Sequence, residues 1–164
     1  MAEQTEDAVD PDIDLHVRGA RREWTSHRWV LPAIALGGMT GASARHAVDL
    51  AWPSGAAELP AATLAINASG CLLIGMLMVQ VVDVGRAHPL LRPFVGVGVL
   101  GGYTTFSTYA VQVHELWAHG SAGISMLYLA LTPVLAVVAV AAGVLLARGF
   151  HRGRAALAHR KADR

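Results

Sequence analysis

Four long stretches almost free of charged side chains dominate the sequence, and they are separated only by short polar segments. A helix that crosses the hydrocarbon core of a bilayer needs about 20 such residues. Only 15% of the residues are charged, whereas soluble domains carry about 25%. The pattern therefore predicts an all-α integral membrane protein with four transmembrane helices.

The chain divides into a membrane domain and two polar tails. Residues 1–28 are acidic and then basic, and we expect them to form a disordered cytoplasmic tail. Residues 148–164 form a basic cytoplasmic tail. Between them, residues 29–147 form the membrane domain, and its predicted spans are 29–50, 61–82, 93–117 and 121–147.

The positions of Lys and Arg predict the orientation of the chain. Twelve of these 13 residues lie in the tails or in the loop 83–92, and only Arg45 lies on the other side. Four spans place both termini on one side, and the positive-inside rule places that side in the cytoplasm. We therefore expect a multi-pass protein of the plasma membrane with both termini cytoplasmic.

The third span is interrupted by the segment GGYTTFSTY at residues 101–109. Glycine and threonine pairs favour the helix poorly, so this segment predicts a broken helix. Non-helical backbone at membrane depth is tolerated only against protein or a watery cavity, and the groups that a break frees commonly bind ions. Phe106 and Tyr109 are three residues apart, so we expect them to share a face where their positive ring edges can meet an anion.

Polar side chains in the second and fourth spans complement this segment. Asn67 places an amide with two donor hydrogens in an apolar helix, and Thr63 lies four residues earlier. In the fourth span, Tyr128 and Thr132 are also four residues apart. A lone asparagine in a span is often a contact between helices, but together these groups predict a narrow, uncharged path for a small anion.

These segments resemble the CrcB/Fluc family of fluoride channels. The resemblance rests on GVLGGYTTFSTY in the third span, TLAINASGCLLIG in the second and GASARH in the first, and it covers residues 30–147. It implies a passive, single-file pathway that exports cytoplasmic fluoride down its electrochemical gradient and lowers fluoride toxicity. It also implies an antiparallel dimer of the dual-topology type with two pores.

The resemblance assigns roles to individual residues. Asn67 matches the pore asparagine, and Phe106 matches the first of two pore phenylalanines. Arg45 matches a first-helix arginine near an aqueous vestibule. Gly101 and Thr104 match positions whose backbone carbonyls hold a structural Na⁺ at the dimer interface. The anion pathway expected from the motifs is completed by Tyr109, Thr63, Ser107, Thr108, Tyr128 and Thr132.

Two positions depart from the family pattern. Tyr109 stands where the second phenylalanine is usual, which keeps the ring edge but adds a hydroxyl group. Gln112 stands where a glutamate is common, and Glu115 follows three residues later. Both departures concern conduction more than fold.

The charge imbalance also predicts the partner chain. An antiparallel homodimer requires one sequence to insert in both orientations, which needs a balanced distribution of Lys and Arg. The distribution here is 12 to 1, so we expect one orientation and a homologous partner of opposite orientation. The other expected partners are the fluoride ion and membrane lipid, and no nucleic acid is expected.

Two alternative functions are left open. A small multidrug or cation exporter also forms an antiparallel dimer of four short helices, but proton coupling needs a membrane-embedded carboxylate. The first, second and fourth predicted spans have none at mid-membrane, and Glu115 lies near an end of the third. The second alternative is a non-conducting partner subunit of a heteromeric channel. The sequence contains no nucleophile–base pair or metal-ligand spacing, so an enzyme is not expected.

Overall fold

The computed structural model describes residues 28–82 and 90–162. The predicted tail 1–28 therefore lies outside the described residues except for Arg28, as do residues 83–89 of the predicted loop. The described residues are helical with short connections and contain no strand, which confirms the all-α class for this part of the chain. The helices are α1 (Val30–Ala51), α2 (Ala61–Val82), α3 (Arg92–Leu100), α4 (Gly101–Tyr103), α5 (Ser107–Ala118) and α6 (Ala122–Ala162).

Within residues 28–82 and 90–162, two helices are long and apolar enough to cross a bilayer by length and composition. They are Ala61–Gln80 within α2, with a mean hydropathy of 1.9, and Ala122–Gly153 within α6, with a mean hydropathy of 2.6. In contrast, α1 carries Arg45 and Asp49 in its last two turns, and the third predicted span is divided among α3, α4 and α5.

The third segment passes from a π-helix into one turn of α-helix and then breaks. α3 is a π-helix, with hydrogen bonds between residues five apart, and it passes directly into the single turn of α4. Thr104 is then extended, with φ −76° and ψ 158°, and α5 begins at Ser107. The backbone therefore leaves the helix at Thr104, inside the segment where the glycine and threonine pairs predict a break.

Glycines allow the helices to approach each other closely. A Cβ atom at Gly98 of α3 would lie 2.8 Å from the Cα of Gly37 in α1. A Cβ atom at Gly75 of α2 would overlap the backbone of Val140, and one at Gly143 of α6 would overlap the backbone of α2. Because lipid offers no hydrophobic drive between helices, such close backbone packing is a main source of helix association.

A tight turn joins α5 to α6. Gly120 has a positive φ of 79°, its N–H donates to the carbonyl of Trp117 at 3.0 Å, and the N–H of Ser121 donates to the carbonyl of Leu116 at 2.9 Å. This arrangement satisfies the last carbonyls of α5 and needs the left-handed conformation that glycine adopts freely. It folds α6 back onto α5, with Tyr109 and Tyr128 buried between the helices.

Candidate functional site

The side chain of Asn67 holds the broken segment against α2. Its Oδ1 accepts the backbone N–H of Thr105, and its Nδ2 donates to the backbone carbonyl of Thr105, both at 2.9 Å. Both residues are buried. A buried peptide needs partners for its polar groups, so the asparagine amide replaces the helical partners that Thr105 lacks. We call this contact the Asn67–Thr105 pair.

The break releases backbone carbonyls from their helical donors. In a continuous α-helix the N–H of Thr105 would bond to the carbonyl of Gly101, four residues earlier, but it bonds to Asn67 instead. The N–H of Thr108 would likewise bond to the carbonyl of Thr104, but it donates to Thr105 Oγ1 at 3.1 Å. The released carbonyls include those of Gly101 and Thr104, the two residues to which the resemblance assigns a Na⁺ ion.

Arg45 reaches one of these carbonyls. Its Nη1 donates to the backbone oxygen of Thr104 at 3.3 Å. A guanidinium group is always charged in proteins. The contact therefore places a permanent positive charge from α1 beside the helix break.

Gly70 makes room for the break one turn after Asn67. A Cβ atom at Gly70 would overlap Cγ2 of Thr104. The hydroxyl of Thr104 donates to the carbonyl of Leu100 at 2.9 Å, so the methyl group is the part that packs on α2. Asn67 and Gly70, one turn apart on α2, thus contact two adjacent residues of the break. Asn67 bonds to Thr105, and Gly70 packs against Thr104.

A cavity of about 520 Å³ lies beside the Asn67–Thr105 pair, and we call it the Asn67 cavity. None of the described residues that line it is charged. Four residues of the expected anion pathway meet here, from α2, the break, α5 and α6. The lining residues are Asn67, Cys71, Thr104, Thr105, Phe106, Tyr109, Leu129, Thr132, Pro133 and Ala136.

The two aromatic rings of the motif are in contact but have different surroundings. Their centroids are 5.6 Å apart with an interplanar angle of 57°. Phe106 is 78% exposed on the single chain, whereas Tyr109 is 6% exposed. Tyr109 also meets the buried ring of Tyr128 edge-on, with centroids 5.1 Å apart. The two rings are therefore in contact, as expected for residues on one face, but only Phe106 is exposed.

The hydroxyl groups of the site are engaged within the chain. Tyr109 donates to the backbone carbonyl of Leu129 at 2.7 Å. Tyr128 donates to Oε1 of Gln112 at 2.9 Å, and Thr132 donates to the backbone carbonyl of Tyr128 at 2.9 Å. Gln112, one of the two departures from the family pattern, thus provides an acceptor for a fully buried tyrosine.

A second cavity, of about 480 Å³, lies under the loop between α1 and α2, and we call it the Thr63 cavity. Thr63 lines it one helical turn before Asn67, together with Thr108 and Gln112. The other two predicted pathway residues, Ser107 and Tyr128, line neither of these two cavities. The Thr63 cavity also has ionisable lining residues, which are Asp49, Glu58, Glu115 and His119.

Thr105 is the residue that the sequence analysis missed. Its backbone binds the Asn67 amide, and its hydroxyl bonds the N–H of Thr108. The threonine pair of the motif indicates a break. It does not indicate which of the two peptides meets Asn67, because that depends on how α2 packs against the break.

Comparisons with known proteins place the chain among related sequences. The model of the family described as CrcB-like protein, Camphor Resistance (CrcB), matches residues 32–144. A Streptomyces coelicolor protein named Fluoride-specific ion channel FluC 1 is 49% identical over 121 residues, which cover 74% of this chain and 79% of that protein. A Nocardia farcinica protein named Fluoride-specific ion channel FluC 2 is 44% identical over 131 residues, which cover 80% and 91%.

Proposed function

The chain belongs to the CrcB family of membrane proteins, and we propose that it is a subunit of a fluoride-selective channel. In this proposal cytoplasmic fluoride leaves the cell passively, down its electrochemical gradient, which lowers its toxicity inside. Relatives that are 44% and 49% identical to the chain over the aligned residues are named fluoride-specific ion channels. The observation that carries the proposal is the amide of Asn67, held in one orientation at the wall of an uncharged cavity.

The chemistry of this wall suits a small anion. Thr105 occupies Oδ1 and one hydrogen of Nδ2 in Asn67, and an amide has a second N–H to offer the cavity. The ring of Phe106 adds a positive edge. Neutral donors and ring edges replace part of the water shell of the ion, and they do not hold the ion as firmly as a fixed Lys or Arg would.

The proposed route runs through the uncharged Asn67 cavity and opens into the Thr63 cavity, whose lining includes the carboxylates of Asp49, Glu58 and Glu115. The Asn67 cavity includes Thr132, and the Thr63 cavity includes Thr108. Thr63 and Asn67 are four residues apart on α2, about 6 Å along the helix. Fluoride would pass in single file between these polar groups, with Ser107 and Tyr128 flanking the route.

The exposed ring of Phe106 supports a second subunit. A wall of the pathway cannot be complete while one of its rings is 78% exposed. An antiparallel dimer places a second copy of the break opposite the first and closes two equivalent pathways. Large exposed apolar surface of this kind marks contact with a partner or with lipid.

The charge pattern supports a partner that differs from this chain. Twelve of the 13 Lys and Arg residues lie on the side assigned to the cytoplasm, so the chain is expected to insert in one orientation only. An antiparallel dimer then requires a homologous chain that inserts in the other orientation. Both termini of this subunit would lie in the cytoplasm.

The released carbonyls of Gly101 and Thr104 fit a structural Na⁺ at the dimer interface. Backbone carbonyls freed by an unwound helix are ligands that Na⁺ takes in membrane proteins. Arg45 uses the carbonyl of Thr104, but a carbonyl oxygen has a second lone pair. When bound, the ion would supply fixed positive charge between the two broken segments. Replacement of Na⁺ by N-methylglucamine is therefore expected to lower the thermal stability of the purified dimer.

The proposal is tested by efflux from liposomes. The chain is reconstituted alone and together with a homologous candidate partner, and an electrode records fluoride or chloride release after valinomycin collapses the potential. We expect fluoride release without chloride release in the presence of the partner. Conduction by the chain alone would contradict the heteromeric dimer, and absence of fluoride release in both preparations would favour the non-conducting subunit.

Two substitutions test the assigned pathway residues. Asn67→Asp introduces a negative charge, and Phe106→Ile removes the ring edge, so each is expected to lower fluoride efflux at least about tenfold. Dimer assembly, measured by gel filtration and cross-linking, should persist. Wild-type efflux in both variants would remove these residues from the pathway.

The exporter alternative makes a different prediction. The carboxylates of Asp49, Glu58 and Glu115 lie near the end of α1, in the following loop and in the last turn of α5. These are positions where charge is cheaper than at mid-membrane. We therefore expect no proton-driven uptake of a cationic dye into the same liposomes, and uptake above the protein-free control would support the exporter.

A further inference from the structure

Pro133 lies inside α6, yet the helix continues on both sides of it, from Ala122 to Ala162. Proline has no N–H, so it cannot donate to the carbonyl four residues earlier, which belongs to Leu129. At membrane depth no water is present to replace that donor, and neighbouring helices must supply one. The carbonyl of Leu129 therefore needs a donor from outside α6.

Tyr109 of α5 supplies this donor. Its hydroxyl donates to the carbonyl of Leu129 at 2.7 Å, which is a short and favourable distance for an O–H···O bond. The side chain is 6% exposed and its ring packs edge-on against Tyr128. The bond thus joins the segment after the break to the point in α6 where the proline removes a helical donor.

The same three residues line the Asn67 cavity. Tyr109, Leu129 and Pro133 all contribute to its wall, beside Asn67 and Phe106. A hydroxyl both donates and accepts hydrogen bonds. Without the carbonyl of Leu129, the hydroxyl of Tyr109 would seek partners in this cavity. With the carbonyl, the hydroxyl is held at the wall and the ring carbons are what Tyr109 offers the cavity.

We propose that Pro133 is a positioning residue for Tyr109, and that it keeps the tyrosine hydroxyl out of the anion pathway. Pro133 acts by releasing the carbonyl of Leu129, which then anchors the hydroxyl. The functional part of this inference rests on the proposed fluoride channel. The ring carbons of Tyr109 then face the cavity as those of a phenylalanine would. Tyr109 and Pro133 form a matched pair, because the proline leaves the carbonyl of Leu129 to the tyrosine hydroxyl alone.

A double-mutant cycle in thermal stability tests the pair without any flux measurement. Pro133→Ala restores an N–H for the carbonyl of Leu129, so in the wild-type background this N–H and the tyrosine hydroxyl compete for the same oxygen. In the Tyr109→Phe background the same substitution fills an acceptor that would otherwise be empty. We expect Pro133→Ala to be more favourable in the second background by at least about 3 °C in melting temperature, and an additive cycle would overturn the inference.

Tyr128→Phe provides the matched control. This substitution removes the hydroxyl of the adjacent tyrosine, whose acceptor is the side chain of Gln112 rather than a carbonyl that a proline releases. Tyr128→Phe and Pro133→Ala are therefore expected to act additively. Coupling as large as that between Tyr109 and Pro133 would show a general loosening of α6 and would overturn the inference.

Fluoride efflux from liposomes tests the consequence for the pathway, with the partner present if the wild type requires it. We expect Pro133→Ala to lower efflux at least about tenfold when Tyr109 is present, and by less than about threefold when it is introduced into Tyr109→Phe. Equal losses from Pro133→Ala in the two backgrounds would overturn the inference. If Pro133→Ala does not assemble, Pro133→Leu replaces it, since leucine also restores the N–H.

The two failures are distinguishable. A wild-type preparation that releases no fluoride with or without the partner contradicts the proposed function, whereas the stability cycle still decides whether Pro133 and Tyr109 are coupled. A conducting wild type with an additive cycle contradicts only the inference about Pro133.

Discussion

The third segment and α6 both contain residues that disfavour a helix, yet only the third segment breaks. The third segment has the pair Gly101 and Gly102 and leaves the helix at Thr104. α6 has Pro133, the stronger helix breaker, and continues without interruption to Ala162. Helix propensity alone therefore does not decide where the backbone breaks.

The difference lies in the partners that the neighbouring helices offer. At the break, Asn67 offers Thr105 both an acceptor for its N–H and a donor for its carbonyl. At Pro133 only one carbonyl is released, and the hydroxyl of Tyr109 bonds to it. In this chain the helix breaks where a side chain replaces the hydrogen-bond partners of both a backbone N–H and a backbone carbonyl. It continues where only one carbonyl needs a new donor.

Among the variants that test this difference, loss of the Asn67–Thr105 pair is expected to lower the stability of the protein most. Asn67→Leu leaves the buried N–H and carbonyl of Thr105 without partners, at about 1–3 kcal/mol for each group. Asn67→Asp keeps an acceptor for the N–H, but it opposes the carbonyl of Thr105 with a second acceptor and buries a charge, so it should also lose stability. Thermal unfolding in detergent measures both variants, and a leucine variant as stable as the wild type would show that Asn67 does not maintain the break.

Backbone packing of α6 on α2 is expected to give the next largest effect. A Cβ atom at Gly143 would overlap the carbonyl of Leu72, whereas one at Gly123 of the same helix meets nothing within 4 Å. Gly143→Ala should therefore lower the free energy of unfolding by about 1–3 kcal/mol, and Gly123→Ala should change it by less than about 0.5 kcal/mol. Similar losses in both variants would contradict the close approach of α6 to α2.

The hydroxyl of Thr105 is expected to have the smallest of the three effects. It accepts the N–H of Thr108, as a capping hydroxyl does at the start of a helix, and its loss should lower stability by about 1 kcal/mol. Thr105→Val removes the hydroxyl and should speed hydrogen exchange at the amide of Thr108, whereas Thr105→Ser should retain protection. Equal exchange in the two variants would assign the start of α5 to another interaction.

The position of the break was predictable because local sequence marks it, although a distant partner is needed to maintain it. The glycine and threonine pairs at residues 101–105 disfavour a helix whatever surrounds them. The partner of Thr105 was not predictable in the same way, since Asn67 lies 38 residues earlier in the chain. The π-helical winding of α3 also has no local signal in the sequence, and it accompanies the close packing of Gly98 on α1.

The surroundings of Tyr109 show the same limit. The resemblance places the ring in the pathway, but the direction of its hydroxyl depends on a carbonyl 20 residues away. That carbonyl is available only because Pro133 follows it in α6. The length of α6 was likewise hidden: the apolar pattern ends at Ala147, but the helix extends to Ala162 because alanine and arginine favour a helix in water.

The Asn67–Thr105 pair has a consequence for the biogenesis of the protein. Because its two members are separated by 38 residues, the contact can form only after α2 and the third segment have docked. Before docking, the N–H of Thr105 has the carbonyl of Gly101 as its nearest helical acceptor, so a newly inserted segment is expected to close into a continuous helix. The broken conformation would then appear only when α2 and the third segment of the same chain pack together.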